Sequence, residues 1–300
     1  MPDPSTPLEL LTQWLDRKAD DDGRVWLYEK CAALEENASD RVFFTTFSAV
    51  PRYLSKDDLE LRSEDLRQAE RAREGWSPAH WSISQAGRTV VLLSAPADER
   101  ETYAERVARL ASAADVGESV ALYQSLPLLP HPERWVNLAA EGLRSNMTAV
   151  FNAVALRNPY PAEHFSNDAW NQLVLKAVFV ESPLYKIYGL DERANKSLAR
   201  MLVDYAHERW AAGRSVTPEL WRPVGLFADD EYTLDALERA LNEGEGEEQR
   251  YAALALSQSP SPRAENLLAD HPELLEKIEE GEIDWPAYDA SEKTQTDIST

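Results

Sequence analysis

The chain has 300 residues, 43% of them hydrophobic and 9% aromatic, enough apolar material for one large or two modest globular domains. Acidic residues number 53 against 31 basic ones, a formal charge of -22, and such a surface repels nucleic acid and anionic lipid, whose binding starts with Lys and Arg at phosphates. Glycine is scarce at 11 residues, about half the usual roughly 7%, which leaves little material for phosphate-cradling loops and favours helices over strands.

Met1 to Leu15 carries acidic residues and no basic stretch ahead of its apolar ones, so no secretory signal is expected. Apolar residues then recur near a period of 3.6 and predict helices near 5–20, 23–36, 40–54, 57–74, 78–95 and 98–114. Cys31 has no second cysteine to pair with, and among apolar helix residues it reads as a small buried hydrophobe. Val90 to Leu93 is the one strand-like run, inside a segment that otherwise reads as helix. Asp115, Gly117, Pro127 and Pro130 break the pattern across 115–131, which suggests an N-terminal helical region of 1–126.

A core region of 127–283 follows. Val136, Leu143, Met147, Val150, Phe151 and Val154 fall on one face of a helix expected over 132–157. Asn158-Pro159-Tyr160-Pro161 is a stiff elbow, because proline fixes φ. Helices are expected over 163–181 and 191–214, the second with the clearest stripe: Leu198, Met201, Leu202, Tyr205, Ala206 and Trp210. Trp170, Trp210 and Trp221 read as core. Helices over 230–242, 246–258, 262–270 and 272–280 complete the series, and Tyr251, Leu254 and Ala255 facing Leu267 and Leu268 across a proline turn look like a HEAT-type pair. From 284 to 300 the chain is a polar tail without a core stripe.

Helix starts are marked by Ser77-Pro78, Thr217-Pro218 and Ser261-Pro262, with weaker marks at His131-Pro132 and His271-Pro272. Gly189 and Gly213 are expected stops, and the acidic runs Asp20 to Asp22 and Asp229 to Glu231 are expected to cap. The fold class is all-α: stacked antiparallel helix pairs forming an irregular HEAT/ARM-like α-solenoid, with a compact irregular bundle as the rival. The most apolar stretch, Leu173 to Val180, is far below the roughly 20 residues a membrane span needs, and Lys176 interrupts it. A cytoplasmic protein with no direct membrane span is expected.

The five histidines are scattered and form no zinc pattern, and the chain has no nucleophile elbow, Walker loop or dinucleotide fingerprint. No cofactor, metal or catalytic residue is assigned. Lys196, Arg200, Asp204, His207 and Glu208 make a polar stripe on the helix at 191–214, in which Arg200 and Asp204 are an i,i+4 ion pair worth a few tenths of a kcal/mol, about 0.3–0.5. Lys176 stands inside an apolar run and needs a carboxylate partner if buried. Antiparallel packing of the two helices would offer Asp204 or Glu208, either as a structural ion pair or as the floor of a binding pocket.

Leu143 to Asn146, Asn158 to Pro161, Trp170-Asn171-Gln172, Leu175-Lys176-Ala177, Gly189-Leu190-Asp191, Asp204 to Trp210 and Pro218 to Trp221 occur in an order that resembles the EboA family, over about 131–227. Leu173 stands where relatives often have Met, a volume-conserving change. The resemblance implies a metabolite-traffic protein encoded in a bacterial operon beside a membrane prenyltransferase-like protein and sugar- or nucleotide-modifying enzymes. It supplies no catalytic residues. The family-like positions that make up a candidate ligand site are Asn146, Tyr160, Asn171, Gln172, Lys176, Asp191, Arg193, Asp204, His207, Glu208 and Arg209. The expectation is a non-enzymatic protein that binds a small metabolite, proteins of the same operon, or both. An enzyme using Lys176 with Asp204, His207 and Glu208, and a pure scaffold, are the alternatives.

Overall fold

A computed structural model describes residues 6–36, 39–97 and 100–286. Among them no strand forms, and a single isolated bridge joins Asp58 to Ser82. The chain divides into two compact units, Met1–Ser166 and Asn167–Thr300. The 115–131 segment lies inside the first unit and contains a helix.

In the first unit run α1 (Pro7–Lys18), α2 (Asp21–Glu36), α3 (Asp40–Ala49), α4 (Ser63–Ala72), α5 (Ile83–Ser94), α6 (Arg100–Ala113), α7 (Val116–Ser125), α8 (Val136–Arg144), α9 (Thr148–Ala155) and α10 (Tyr160–His164). Helix α1 starts on a reciprocal cap between Thr6 and Glu9 and ends on Arg17 and Lys18, which suit its negative C-terminal dipole. Helix α5 is the core: it packs on α1, α2, α3 and α7, and even Arg88 and Thr89 on it are buried. Buried polar groups there find partners, as Thr89 Oγ1 does with Ser125 Oγ at 2.8 Å and Arg88 Nε with the Phe47 carbonyl at 3.3 Å. Val90 to Leu93 is helical, and Cys31 is buried as expected.

Three expectations in this unit are corrected. Ser77-Pro78 starts no helix; Ser82 does, exchanging capping bonds with Gln85. The continuous helix expected over 132–157 is a 3₁₀ turn at Pro132–Arg134 followed by α8 and α9. They are separated where the backbone at Ser145 and Met147 turns extended and the Ser145 hydroxyl accepts from the Met147 amide at 3.1 Å. The helix expected over 57–74 shortens to α4, its first residues being used instead in the bridge to Ser82.

In the second unit run α11 (Asn167–Phe179), α12 (Lys196–Ala211), α13 (Glu231–Glu243), α14 (Glu247–Ser257), α15 (Pro262–Ala269) and α16 (Pro272–Glu279). Asp230 caps α13, and Ser261 with Pro262 starts α15 as the sequence indicates. Helix α14 is the core here: Tyr251 to Leu256 are all buried, against α13, α15, α16 and the 3₁₀ turns Pro218–Trp221 and Gly225–Phe227. Trp285 stacks on Tyr251 with ring centroids 5.1 Å apart, two residues past the 283 limit expected for the core. The remainder of the expected polar tail, 287–300, lies outside the described residues.

Helices α11 and α12 do not pack antiparallel. Near their starts, Arg193 Nη2 donates to Asn167 Oδ1 at 2.9 Å, and Asn171 and Asn195 exchange amide hydrogen bonds of 2.8 and 3.2 Å. Near their ends, Phe179 and Glu181 share a hollow with Tyr205, Glu208 and Ala212. The two helices therefore run in the same direction, and the connector 180–195 returns along the length of α11.

Candidate functional site

At the common C-terminal end of α11 and α12 the chain makes two similar stops. Helix α12 ends in a Schellman turn, with Gly213 left-handed at φ 66° and its amide and that of Arg214 closing on the carbonyls of Trp210 and Arg209, both at 2.9 Å. Helix α11 ends in the same way: the Ser182 amide reaches the Ala177 carbonyl at 2.8 Å, with Glu181 left-handed at φ 57°. A non-glycine residue in that conformation costs about 1–2 kcal/mol. Glu181 is thus held in strained backbone at the position where glycine is the easy choice.

Past Gly213 the chain folds back beside α12, and the Ser215 carbonyl accepts from Arg209 Nε at 3.0 Å. That bond fixes the guanidinium plane. The terminal nitrogens of Arg209 have no protein partner among the described residues. Farther on, the buried Glu219 carboxylate accepts from the amides of Leu184 and Tyr185 at 3.0 and 2.6 Å, which pins the connector after α11.

These pieces enclose two adjoining hollows of about 330 and 380 Å³, which share Glu181, Tyr205 and Arg209. The first adds Val178, Ser182, Pro183, Ser215, Val216, Thr217 and Glu219; the second adds Phe179, Glu208, Ala212 and Arg214. Each lies in the lower part of the size range of small-molecule sites, roughly 300–1,000 Å³. Phe179 is 71% exposed and stands at the second hollow as a bare aromatic wall.

Of the eleven expected positions, nine lie in the second unit, and these are spread along α11, the 180–195 connector and α12 rather than gathered in one place. Asn146 is exposed in the turn between α8 and α9, and Tyr160 is fully buried with its hydroxyl donating to the Pro132 carbonyl, both in the first unit. Burial pushes the Tyr160 phenol well above its usual range. Asn171 is buried against Asn195, whose side chain also caps α12. Arg193 lies 4.9 Å from the Trp170 ring centroid, and desolvation lowers its pKa. Gln172 is exposed and Lys176 half-buried. Asp191 holds Arg222 through two bonds of 2.7 and 2.8 Å.

The acidic partners proposed for Lys176 are corrected. Asp204 accepts from the Tyr232 hydroxyl at 2.8 Å and pairs with Arg200 at 3.4 Å, the i,i+4 pair read from the sequence. With the helices parallel, Asn171 is level with Asn195, so Lys176, five residues on, is level with about residue 200 rather than with Asp204. His207 packs on Tyr232 and Trp210 with centroids 4.9 and 5.4 Å away, and its Nε2 is buried with no hydrogen-bond partner among the described residues. Burial, then the bond to Asp204, raises the Tyr232 pKa. Only Glu208 and Arg209 of the eleven line the hollows. Among the described residues no group of three or more His, Cys, Asp or Glu is placed to hold a metal ion, and no helix is long and apolar enough to cross a membrane.

Sequence reasoning missed Glu181, Tyr205 as a lining residue, and the 214–217 return. The Gly213 stop followed by Arg214-Ser215 and Thr217-Pro218 was the available signal.

The profile of one family, described as metabolite traffic protein EboA, matches residues 8–225. The chain belongs to the EboA family. The match is wider than the 131–227 stretch on which the resemblance rested: it takes in the first unit from α1 onward, continues through α11, α12 and the cleft, and ends ahead of α13. No curated protein and no solved structure matches the chain.

Proposed function

We propose that this chain binds a small metabolite in the cleft at the common end of α11 and α12, and that this binding serves the metabolite traffic for which its family is described. One observation carries the reading: two adjoining hollows of about 330 and 380 Å³ share Arg209, a guanidinium fixed through Nε with its other nitrogens left for a ligand. The protein acts without chemistry of its own, in the cytoplasm, and passes its cargo to proteins of the same operon, among them a membrane prenyltransferase-like protein. Helices α13 to α16, which lie beyond the family match, stack as HEAT-like pairs and give the binding half a rigid support.

Against an enzyme built on Lys176 stands the commitment of Asp204 to Tyr232 and Arg200. The test is to isolate wild-type and Arg209→Ala protein from the producing cells and identify the small molecules that copurify. A compound enriched on the wild type and lost from the variant, with circular dichroism unchanged, supports the proposal. Identical small-molecule content in both sinks it.

A further inference from the structure

The cleft is lined by charges of both signs that do not neutralise one another. Arg209 and Arg214 stand against Glu181 and Glu208, and among the described residues none of these four forms an ion pair. Glu219, the remaining carboxylate, is spent on backbone amides. A purely anionic ligand would meet Glu181 and Glu208; a purely cationic one would meet the two arginines.

Two features set where each charge of a ligand goes. Arg209 presents a fixed guanidinium edge, the geometry that takes a carboxylate through two parallel hydrogen bonds. Opposite in chemistry are Glu181, Glu208 and the C-terminal ends of two helices, whose dipoles both favour positive charge. Glu181 holds its carboxylate there in left-handed backbone at φ 57°, although glycine would relieve the strain, as Gly213 does in the matching turn of α12. Strained backbone retained at a lining residue points to a role for its side chain. Phe179 and Tyr205 supply an apolar wall beside these charges.

Resting on the cleft reading above, we propose that the site is built for a zwitterion: a metabolite of the α-amino-acid type, its carboxylate on Arg209, its ammonium at Glu181 and Glu208, and its side chain against Phe179 and Tyr205. The full chain is titrated with three matched probes, L-phenylalanine, 3-phenylpropionate and phenethylamine, following the Arg209 Nε–H and the amide resonances of Ala212 and Val216. L-Phenylalanine is expected to bind at least about tenfold more tightly than either half-molecule, the worth of one charge-assisted contact. Arg209→Gln is expected to bring its affinity down to that of phenethylamine. Glu181→Gly is expected to raise the melting temperature while bringing the affinity down to that of 3-phenylpropionate, a combination that loss of folding does not produce.

Equal or tighter binding of either half-molecule overturns the proposal, as does unchanged affinity in Glu181→Gly or the absence of any shift with all three probes. Each of those results leaves the broader reading standing if a copurifying compound still depends on Arg209. Loss of that dependence removes both.

Discussion

Asn171 and Asn195 exchange side-chain hydrogen bonds of 2.8 and 3.2 Å, and Asn195 Oδ1 also accepts from the Leu198 amide at 3.0 Å to cap α12. One pair of amides thereby joins the first half of α11 to the start of α12 and, with the Arg193–Asn167 bond, fixes their common direction. Everything at the far end of the two helices, including the meeting of Glu181 with Arg209 across the cleft, follows from that alignment.

Asn195→Ala removes a cap worth about 1 kcal/mol and leaves the buried Asn171 amide unpaired, which costs about 1–3 kcal/mol more. Urea denaturation is expected to show a loss of about 2–4 kcal/mol. Asn195→Asp keeps the cap and loses less. Equal losses from the two variants would mean that the interactions Asp retains, the cap and the bond accepted from Asn171, contribute nothing.

Gly225 sits where an added Cβ would lie 2.6 Å from the Ala255 carbonyl oxygen and 2.9 Å from its Cα. Backbone cannot swing aside as a side chain does. Gly225→Ala is expected to destabilise the second unit by about 2 kcal/mol or more through forced separation of α14 from the 3₁₀ turn at Gly225–Phe227. Thermal denaturation with a probe on Trp285, which stacks over α14, reads this directly.

Glu248 has its pKa raised by burial, against the lowering effect of a hydrogen bond from Trp210. A carboxyl whose folded pKa exceeds its unfolded value near 4.3 is fully favourable below that value, and this contribution is lost as pH rises through the folded pKa. Glu248→Gln, neutral at every pH and still able to accept from Trp210, is therefore expected to be more stable than wild type at pH 7 and equal to it at pH 3.5. A stability gain that is the same at both pH values would contradict this.

The Tyr232 pKa is raised first by burial and next by Asp204, through its hydrogen bond and its charge. Asp204→Asn removes that charge, so the Tyr232 phenol is expected to titrate at lower pH. Carbon-13 labelling at the tyrosine Cζ resolves the change. Because Asp204 and Arg200 are both half-exposed, the fold itself is expected to lose less than about 1 kcal/mol.

Much of the fold is legible in the sequence because amphipathic stripes and caps are local. Leu198, Leu202 and Ala206 identify the buried face of α12, and Asp230 and Ser261 mark helix starts by satisfying free amides. The break between α8 and α9 is hidden because Val150, Phe151 and Val154 continue the stripe of α8 at helical spacing. A periodic pattern reports which face is buried, not whether the backbone stays continuous. The direction of α12 relative to α11 is not legible for a different reason. Consecutive helices joined by short turns must reverse, but the connector 180–195 is long enough to return along α11, about 20 Å for a helix of that length. The cleft inherits both difficulties: it is built at the two helix ends and from loop residues, and only Glu208 and Arg209 among the expected positions reach it.

The most direct test of metabolite binding at this place follows the side-chain Nε–H of Arg209 and the ring of Tyr205 by NMR while a small-molecule extract of the producing cells is added. The account predicts saturable shifts at these two groups and at the Val216 amide, with the Asn171 and Asn195 amides unmoved at the other end of the helices. Shifts confined to the Asn171–Arg193 end, or none anywhere in the second unit, would contradict it.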